Sequence, residues 1–431
     1  MLNVWVDRNR VGGLGRVSGG YLFSYQNAGQ GQDISLTMPM TLDGYVHQHD
    51  LHPIFQMNLP EGRLRESLEN SFRKHVPVFD DLKLLSVVGR SQIGRLRYSD
   101  SLESIDDVPT QSVREILAYK GSEDLLRDLL SRFSGVSGVS GIQPKVLIKD
   151  ESLASAPPEK LVVKGATHIV KGWEGDEFPS LAANEFFCMT AARESGLATP
   201  DFDLSENGKF FVVKRFDLSE SGRYMGFEDF CVLSGYGSTD KYRGSYEAAV
   251  KRIGEFVSVE GLRAAKDSFF RSLVVSCALR NGDAHLKNFG VLYEDSASSV
   301  CLAPAYDIVT TTVYIKKDTL ALTLGGTKRF PDAKRLIDFG FRHCDLSRQR
   351  AETILEEVAE GVLKTRCRLS DYLSHHDEFS VGRGMLTEWG AGVDEVCRIS
   401  KERIISIPAA PAEDDGLDEL TVMKRGGAPS P

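Results

Sequence analysis

An apolar run with helical spacing, Phe269–Leu279, breaks at Asn281-Gly282 and delivers Asp283, His285, Lys287 and Asn288 into a loop. A β-rich run, Phe289–Tyr293, follows at once. A buried helix that ends by handing such a cluster to a loop ahead of a strand points to a site rather than to a surface turn. An aspartate followed five residues later by an asparagine also suits phosphoryl transfer. The carboxylate can orient or deprotonate a hydroxyl, and the amide oxygen can face a metal. Taken alone, the octapeptide reads equally as a helix C-cap followed by a solvated turn, so the rest of the chain has to decide.

The next segment weighs towards a site. After the loop Glu294–Ser299, the run Val300-Cys301-Leu302 returns as a hairpin strand and leads to Tyr306-Asp307-Ile308. An antiparallel hairpin brings Asp283, Asn288 and Asp307 to one end. Hard cations take oxygen ligands, and Mg2+ is usually held by one or two protein groups together with substrate phosphates.

Upstream, glycines recur at every third position in Ser134-Gly135-Val136-Ser137-Gly138-Val139-Ser140-Gly141, followed by Ile142-Gln143-Pro144-Lys145. Such a stretch can present consecutive backbone N–H groups to an anion. It is neither a Walker loop nor a Rossmann turn, and by itself it also reads as a linker. It lies between a helix, expected over Val113–Leu130, and a strand, Lys145–Ile148. A second strand, Thr167–Lys171, ends in a lysine. Ser180 is placed to N-cap a helix over Leu181–Ser195 closed by Gly196. On that helix Glu185 shares the apolar face of Leu181, Ala182, Met189 and Ala192. A carboxylate there is costly unless paired, and Lys171 is the natural partner; an unpaired glutamate at the stripe's edge is the alternative. Lys209–Phe216 reads as a central strand, and Asp217 to about 245 as a polar connection.

The amino-terminal region reads as β-rich, with strands at Val4–Val6, Val11–Leu14, Tyr21–Tyr25 and Ile34–Pro39, then helices around Leu64–Leu68 and Phe79–Val88. His47, His49, Asp50 and His52 form a metal-like cluster without a further ligand group, so a structural role is expected. Residues 332–405 read as mostly helical. The expected division is 1–110, 111–218, 219–406 and a disordered acidic, proline-bearing tail, 407–431. No apolar run reaches the ~18 residues of a membrane span, and the N-terminus lacks the features of a signal peptide. Seven cysteines without a C-x-x-C pair argue for a reduced, cytoplasmic setting. A net charge of −9 argues against direct coating of nucleic acid.

With these residues in hand, the chain resembles the HipA family of bacterial serine/threonine kinase toxins over residues 2 to about 385. The resemblance rests on Leu59-Pro60-Glu61-Gly62, Ser140-Gly141-Ile142-Gln143-Pro144-Lys145, Thr167–Lys171, Asn184-Glu185, Val213–Asp217, Asn281–Asn288 and Tyr306-Asp307-Ile308, in this order. The Asp-x-His-x-x-Asn loop is similar to that of phosphatidylinositol-kinase-like enzymes. The resemblance implies an α+β, protein-kinase-like two-lobed fold with a β-rich N-terminal subdomain and a mostly helical C-terminal lobe. It also implies ATP and Mg2+ as cofactors.

In this comparison Asp283 would be the catalytic carboxylate. Asn288 and Asp307 would hold Mg2+, and Lys171 would contact phosphates, steadied by Glu185. His285 would buttress the loop and Lys287 would neutralise charge on the transferring group. Around the nucleotide would lie Ser137, Gly138, Val139, Ser140, Gly141, Gln143 and Lys145, with the strand Val213–Phe216, including Lys214, Arg215 and Phe216, as the hinge offering backbone groups to adenine. Members of the family phosphorylate a loop serine at the place occupied here by Gly138. That departure moves the modification to Ser134, Ser137 or Ser140, or removes it.

The implied partners are a small DNA-binding, HipB-like antitoxin, through which alone DNA would be met, and a protein substrate such as an aminoacyl-tRNA synthetase. A small-molecule or lipid kinase of the same fold is the first rival, although no polybasic or amphipathic segment favours a membrane. An inactive antitoxin-binding co-repressor is the second.

Overall fold

The computed structural model describes residues 1–26, 29, 31–72, 79–101, 110–120, 124–133, 143–151, 165–172 and 177–397. The glycine-rich stretch from Ser134 to Gly141 and the tail 407–431 lie outside them.

The chain begins with an antiparallel sheet of β1 (Leu2–Val6), β2 (Asn9–Val17), β3 (Gly20–Tyr25), β4 (Tyr45–Gln48) and β5 (Leu96–Ser99), in the order β4-β3-β2-β1-β5. Val4, Val6, Val11, Leu14 and Phe23 turn one face inward. Gly12 allows the close approach of β3, since a Cβ there would lie 2.5 Å from Ser24 O. Three helices cover the sheet: α1 (Pro53–Gln56), α2 (Gly62–Phe72) and α3 (Asp81–Val88). Asp80 caps α3 by accepting Lys83 N at 2.9 Å.

Ile34–Pro39, which alternates like a strand, is instead a tight turn held by one Ser35–Met38 bridge. The buried Glu228 carboxylate captures it, accepting Leu36 N and Ser35 Oγ, both at 2.7 Å. A long-range hydrogen-bonding partner overrides local alternation here. Two of the histidines make local hydrogen bonds. His47 Nδ1 lies 2.9 Å from Asp50 O, and His52 accepts Ile54 N at the start of α1.

A second sheet follows: β6 (Thr110–Gln111), β7 (Lys145–Asp150), β8 (His168–Gly172), β9 (Phe202–Leu204) and β10 (Phe210–Lys214), in the order β6-β7-β8-β10-β9. Strand alternation divides its side chains between two faces. Val146, Ile148, Val170, Phe210 and Val212 pack beneath α4 (Val113–Leu117) and α5 (Asp124–Phe133). Lys145, Ile169, Lys171, Phe211 and Val213 take the opposite face and border a cavity. The single helix expected over Val113–Leu130 therefore divides, with Ala118 at the end of its first part. Helix α6 (Leu181–Glu194) crosses the cavity side. Ser180 stands before it at φ 57°, with no side-chain cap, so its expected capping role is not seen.

The remaining described residues are mostly helical. The connection expected after Asp217 holds β11 (Gly226–Asp229) and the short α7 (Phe230–Leu233), and leads to α8 (Tyr246–Phe256) and the long α9 (Val259–Ala278). β12 (Gly290–Tyr293) and β13 (Cys301–Leu302) form a hairpin that joins β11 in a three-stranded sheet. Helices α10 (Ala333–His343), α11 (Arg348–Leu373) and α12 (Gly382–Val396) complete the packing. Among the described residues no helix is long and apolar enough to cross a membrane.

Helix α12 sits against α9 at a glycine: a Cβ on Gly392 would lie 2.1 Å from Ala278 O. Alanine at this position would gain about 1 kcal/mol of helix propensity but overpack at a cost of about 1–3 kcal/mol. Gly392→Ala is therefore expected to lower the midpoint of urea unfolding. A raised midpoint would mean that the two helices can separate freely.

Candidate active site

The carboxyl end of α9 sets the geometry of the loop. Arg280 turns the chain at φ 56°, a left-handed conformation uncommon outside glycine. Asn281 N returns to Ser276 O at 2.8 Å, and Gly282 N donates to Thr311 Oγ1 at 2.8 Å. The loop then fastens on itself. Asn281 Oδ1 accepts Asp283 N at 3.0 Å, and Asn288 Nδ2 donates to Asp283 O at 2.8 Å. Tyr246 OH donates to Ala284 O at 3.0 Å. What one reading makes a wet turn is a braced loop.

Asp283 faces the cavity with 42% of its side chain exposed, and its Oδ1 accepts Tyr242 OH at 2.7 Å. Although that much surface opens onto the cavity, the carboxyl lies deep among protein atoms. Burial is the main cause that pushes its pKa up to about 6; the hydrogen bond from Tyr242 opposes this and the Asp307 charge adds to it. His285 is the reverse case. Burial, then Lys241, push its pKa down to about 3, so the ring is neutral and its 3.9 Å approach to Asp283 Oδ1 is not an ion pair near neutral pH.

Lys171 ties the two halves of the site together. Its Nζ lies 2.5 Å from Glu185 Oε1 on α6 and 2.7 Å from Asp307 Oδ1. Burial disfavours the ammonium, but Asp307 and Glu185 outweigh it and keep the lysine protonated. Burial likewise opposes the charge on Asp307, yet Lys171 and Lys145 hold that carboxyl well below its ordinary range. Lys145 is the cross-strand partner of Lys171, which places both ammonium groups on the cavity face. Asp307 itself sits at φ 59°, a strained setting maintained by its surroundings. Those surroundings include Asn184, next to Glu185: its amide donates to Thr310 O at 3.0 Å and accepts Thr310 N at 2.9 Å. Trp389 of α12 donates to Thr310 Oγ1 at 2.7 Å.

The cavity has a volume of about 390 Å3. One part is apolar, lined by Ile93, Ile169, Phe211, Val213 and Phe216, with Phe216 stacked on Tyr306 at 5.2 Å. Another part carries Gln143, Lys145, Lys171, Glu185, Asp283, His285, Lys287, Asn288 and Asp307. An apolar slot beside two buried ammonium groups suits a planar aromatic ring joined to phosphates. Gln143 Nε2 and Glu185 Oε2 are buried without a hydrogen-bond partner among the described residues, as befits groups built to meet a ligand. Asn288 commits its NH2 to Asp283 O, leaving Oδ1 as an acceptor alongside Asp307. Among the described residues no three His, Cys, Asp or Glu side chains converge to hold a metal by themselves. The Asn288–Asp307 donor set instead suits a hard cation completed by phosphate oxygens and water.

Two hinge side chains are not brought to the cavity. Lys214 shares the strand face of Phe210 and Val212, on the far side of the sheet, and lies 3.7 Å from Asp201. Arg215 is buried against Asp217 (2.9 and 2.5 Å) and donates to Gln92 O at 2.7 Å. Their backbone N–H groups are engaged by Asp201 O and Thr167 O. Lys287 lines the cavity, but its ammonium is held by Met57 O at 3.0 Å and Glu61 at 3.3 Å. Met57, Asn58 and Ile93, together with Lys241, Tyr242 and Asp318, also border the site and were not foreseen. Only Glu61 carried a signal, as part of the Leu59–Gly62 stretch.

The HipA-like C-terminal domain matches residues 137–366 and the HipA N-terminal domain matches residues 2–99. The chain belongs to the HipA family. It is similar to two proteins of Sinorhizobium fredii that carry kinase names. Y4dM is 30% identical over 64% of this chain and 66% of its own length, just under two thirds. Y4mE is 29% identical over 90% of this chain and 98% of its own. In fold the chain is similar to a structure of the Shewanella oneidensis MR-1 toxin–antitoxin system, a complex of HipA, HipB and operator DNA. The TM-score is 0.63 at 19% identity, covering 92% of this chain and 99% of that one. This HipA-family chain thus has the α+β, two-lobed kinase-like fold that its motifs resemble.

Proposed function

We propose that this HipA-family protein is an ATP- and Mg2+-dependent protein serine/threonine kinase that acts as the toxin of a toxin–antitoxin pair. The observation that carries the reading is the Glu185–Lys171–Asp307 bridge opening onto the cavity that Asp283 faces. Asp283 orients the acceptor hydroxyl and takes its proton as oxygen bonds to the γ-phosphorus and the bond to the β–γ bridging oxygen breaks, releasing ADP. Lys171 and Lys145 bind phosphate oxygens, and Glu185 fixes the direction of Lys171. Asn288 and Asp307 would hold Mg2+, whose charge, when bound, offsets that of the phosphates. Neutral His285 packs beneath the loop against Tyr242, with ring centres 5.1 Å apart.

The partner in this reading is a small DNA-binding, HipB-like antitoxin, in keeping with the composition of the Shewanella complex. With a net charge of −9 on this chain, the partner would supply most of the basic surface that DNA needs. By family resemblance the target belongs to the translation machinery, an aminoacyl-tRNA synthetase.

Incubation of the purified protein with γ-labelled ATP, Mg2+ and a bacterial lysate is expected to label protein on serine or threonine. Chelation of the metal is expected to abolish that label. ATP consumption without labelled protein would assign the acceptor to a small molecule instead, and nucleotide binding without any turnover would leave a binding module.

A further inference from the structure

Two lysines from different segments converge on a single carboxylate of the N-terminal sheet-and-helix module. Lys241 Nζ lies 2.9 Å from Glu61 Oε2, and Lys287 Nζ lies 3.3 Å from Glu61 Oε1. Both lysines border the cavity, with side chains only 11% and 9% exposed. Water can do little there to screen the repulsion between two ammonium groups, and the shared carboxylate does so instead. The other partner of Lys287, Met57 O, comes from the same module. Lys241 is fastened to the catalytic loop through its own carbonyl, which accepts Leu286 N at 3.1 Å. The backbone is shaped to deliver the carboxylate: Gly62, the next residue, begins α2 at φ 53°, a conformation natural to glycine. The two ammonium groups share this carboxylate on the cavity wall beside Asp283, with the buried Asp229 carboxylate acting on Lys287 as well.

We propose that Glu61 is a positioning residue for phosphoryl transfer, holding Lys241 and Lys287 together as a paired cationic site for the transferring phosphoryl group. This rests on the kinase reading above. Glu61 touches no substrate in this scheme; it acts through the two ammonium groups, which are preorganised where negative charge gathers during transfer. The N-terminal module is then a working part of the active site, supplying the residue that aims its cations.

The test is a kinetic cycle on the full chain. Glu61→Gln, which keeps the shape and removes the charge, is expected to lower kcat by about tenfold or more while changing the KM for ATP less than threefold. Glu61→Asp is expected to recover part of the loss. In a Lys241→Met/Lys287→Met background, Glu61→Gln is expected to have no further effect on kcat, the non-additivity of residues acting through one another. Circular dichroism and thermal melts verify that each variant is folded. Active unmodified protein with a Glu61→Gln kcat within twofold of it would overturn the role of Glu61 and leave the kinase reading intact. A full Glu61→Gln loss persisting without the lysines would do the same. No phosphoryl transfer by the unmodified protein would overturn both.

Discussion

Asp283→Asn is expected to reduce phosphoryl transfer by about 10²–10⁴-fold, the usual worth of a positioned general base, while nucleotide binding and folding persist. The substitution keeps the side chain's shape. Tyr242 OH can still donate to the amide oxygen as it does to Asp283 Oδ1. The loop is braced by Asn281, Gly282 and Asn288 through backbone groups that the change leaves alone. Only the ability to accept a proton is removed. Single-turnover transfer measured beside fluorescent-nucleotide binding separates the two effects. Transfer within tenfold of the unmodified protein would show that another group takes the proton.

The second large effect concerns Lys171. Lys171→Met is expected to abolish transfer and to destabilise the fold by about 3–5 kcal/mol, because it leaves Glu185 buried and without its counter-ion. Glu185 is the critical loss: it is fully buried, whereas Asp307 keeps part of its side chain in contact with solvent. Lys171→Met/Glu185→Leu replaces the buried pair with apolar groups and is expected to recover most of the stability, since such exchanges are often neutral. It is not expected to recover any transfer. Chemical denaturation and kinase assays on both variants provide the measurements. Activity in the double variant would remove Lys171 from the phosphate site.

Much of this site was legible because its logic is local. Asp283 to Asn288 stand between an apolar helix and an apolar strand, and the β12–β13 hairpin could be drawn from its turn. Glu185 on an apolar stripe needed a cation unless it lay at the stripe's edge, and Lys171 stood on the strand just before. What escaped was carried by distant partners. Ile34–Pro39 alternates like a strand, yet Glu228, nearly two hundred residues away, makes it a turn. The N–H groups of Lys214 and Arg215, in the expected hinge, are taken by Asp201 O and by Thr167 O, the latter nearly fifty residues away. The walls formed by Met57, Asn58 and Ile93 depend on one module docking against another, and no periodicity in the chain records that. Tyr242 lies in a connection that reads only as polar.

Asn184 and Glu185 are neighbours on α6, pointing roughly 100° apart. One holds the segment after Asp307 at Thr310, and the other holds Lys171. Because both grips belong to a single rigid rod, a small roll of that rod cannot loosen one and spare the other. Displacing α6 would therefore disturb Lys171 and the segment after Asp307 together.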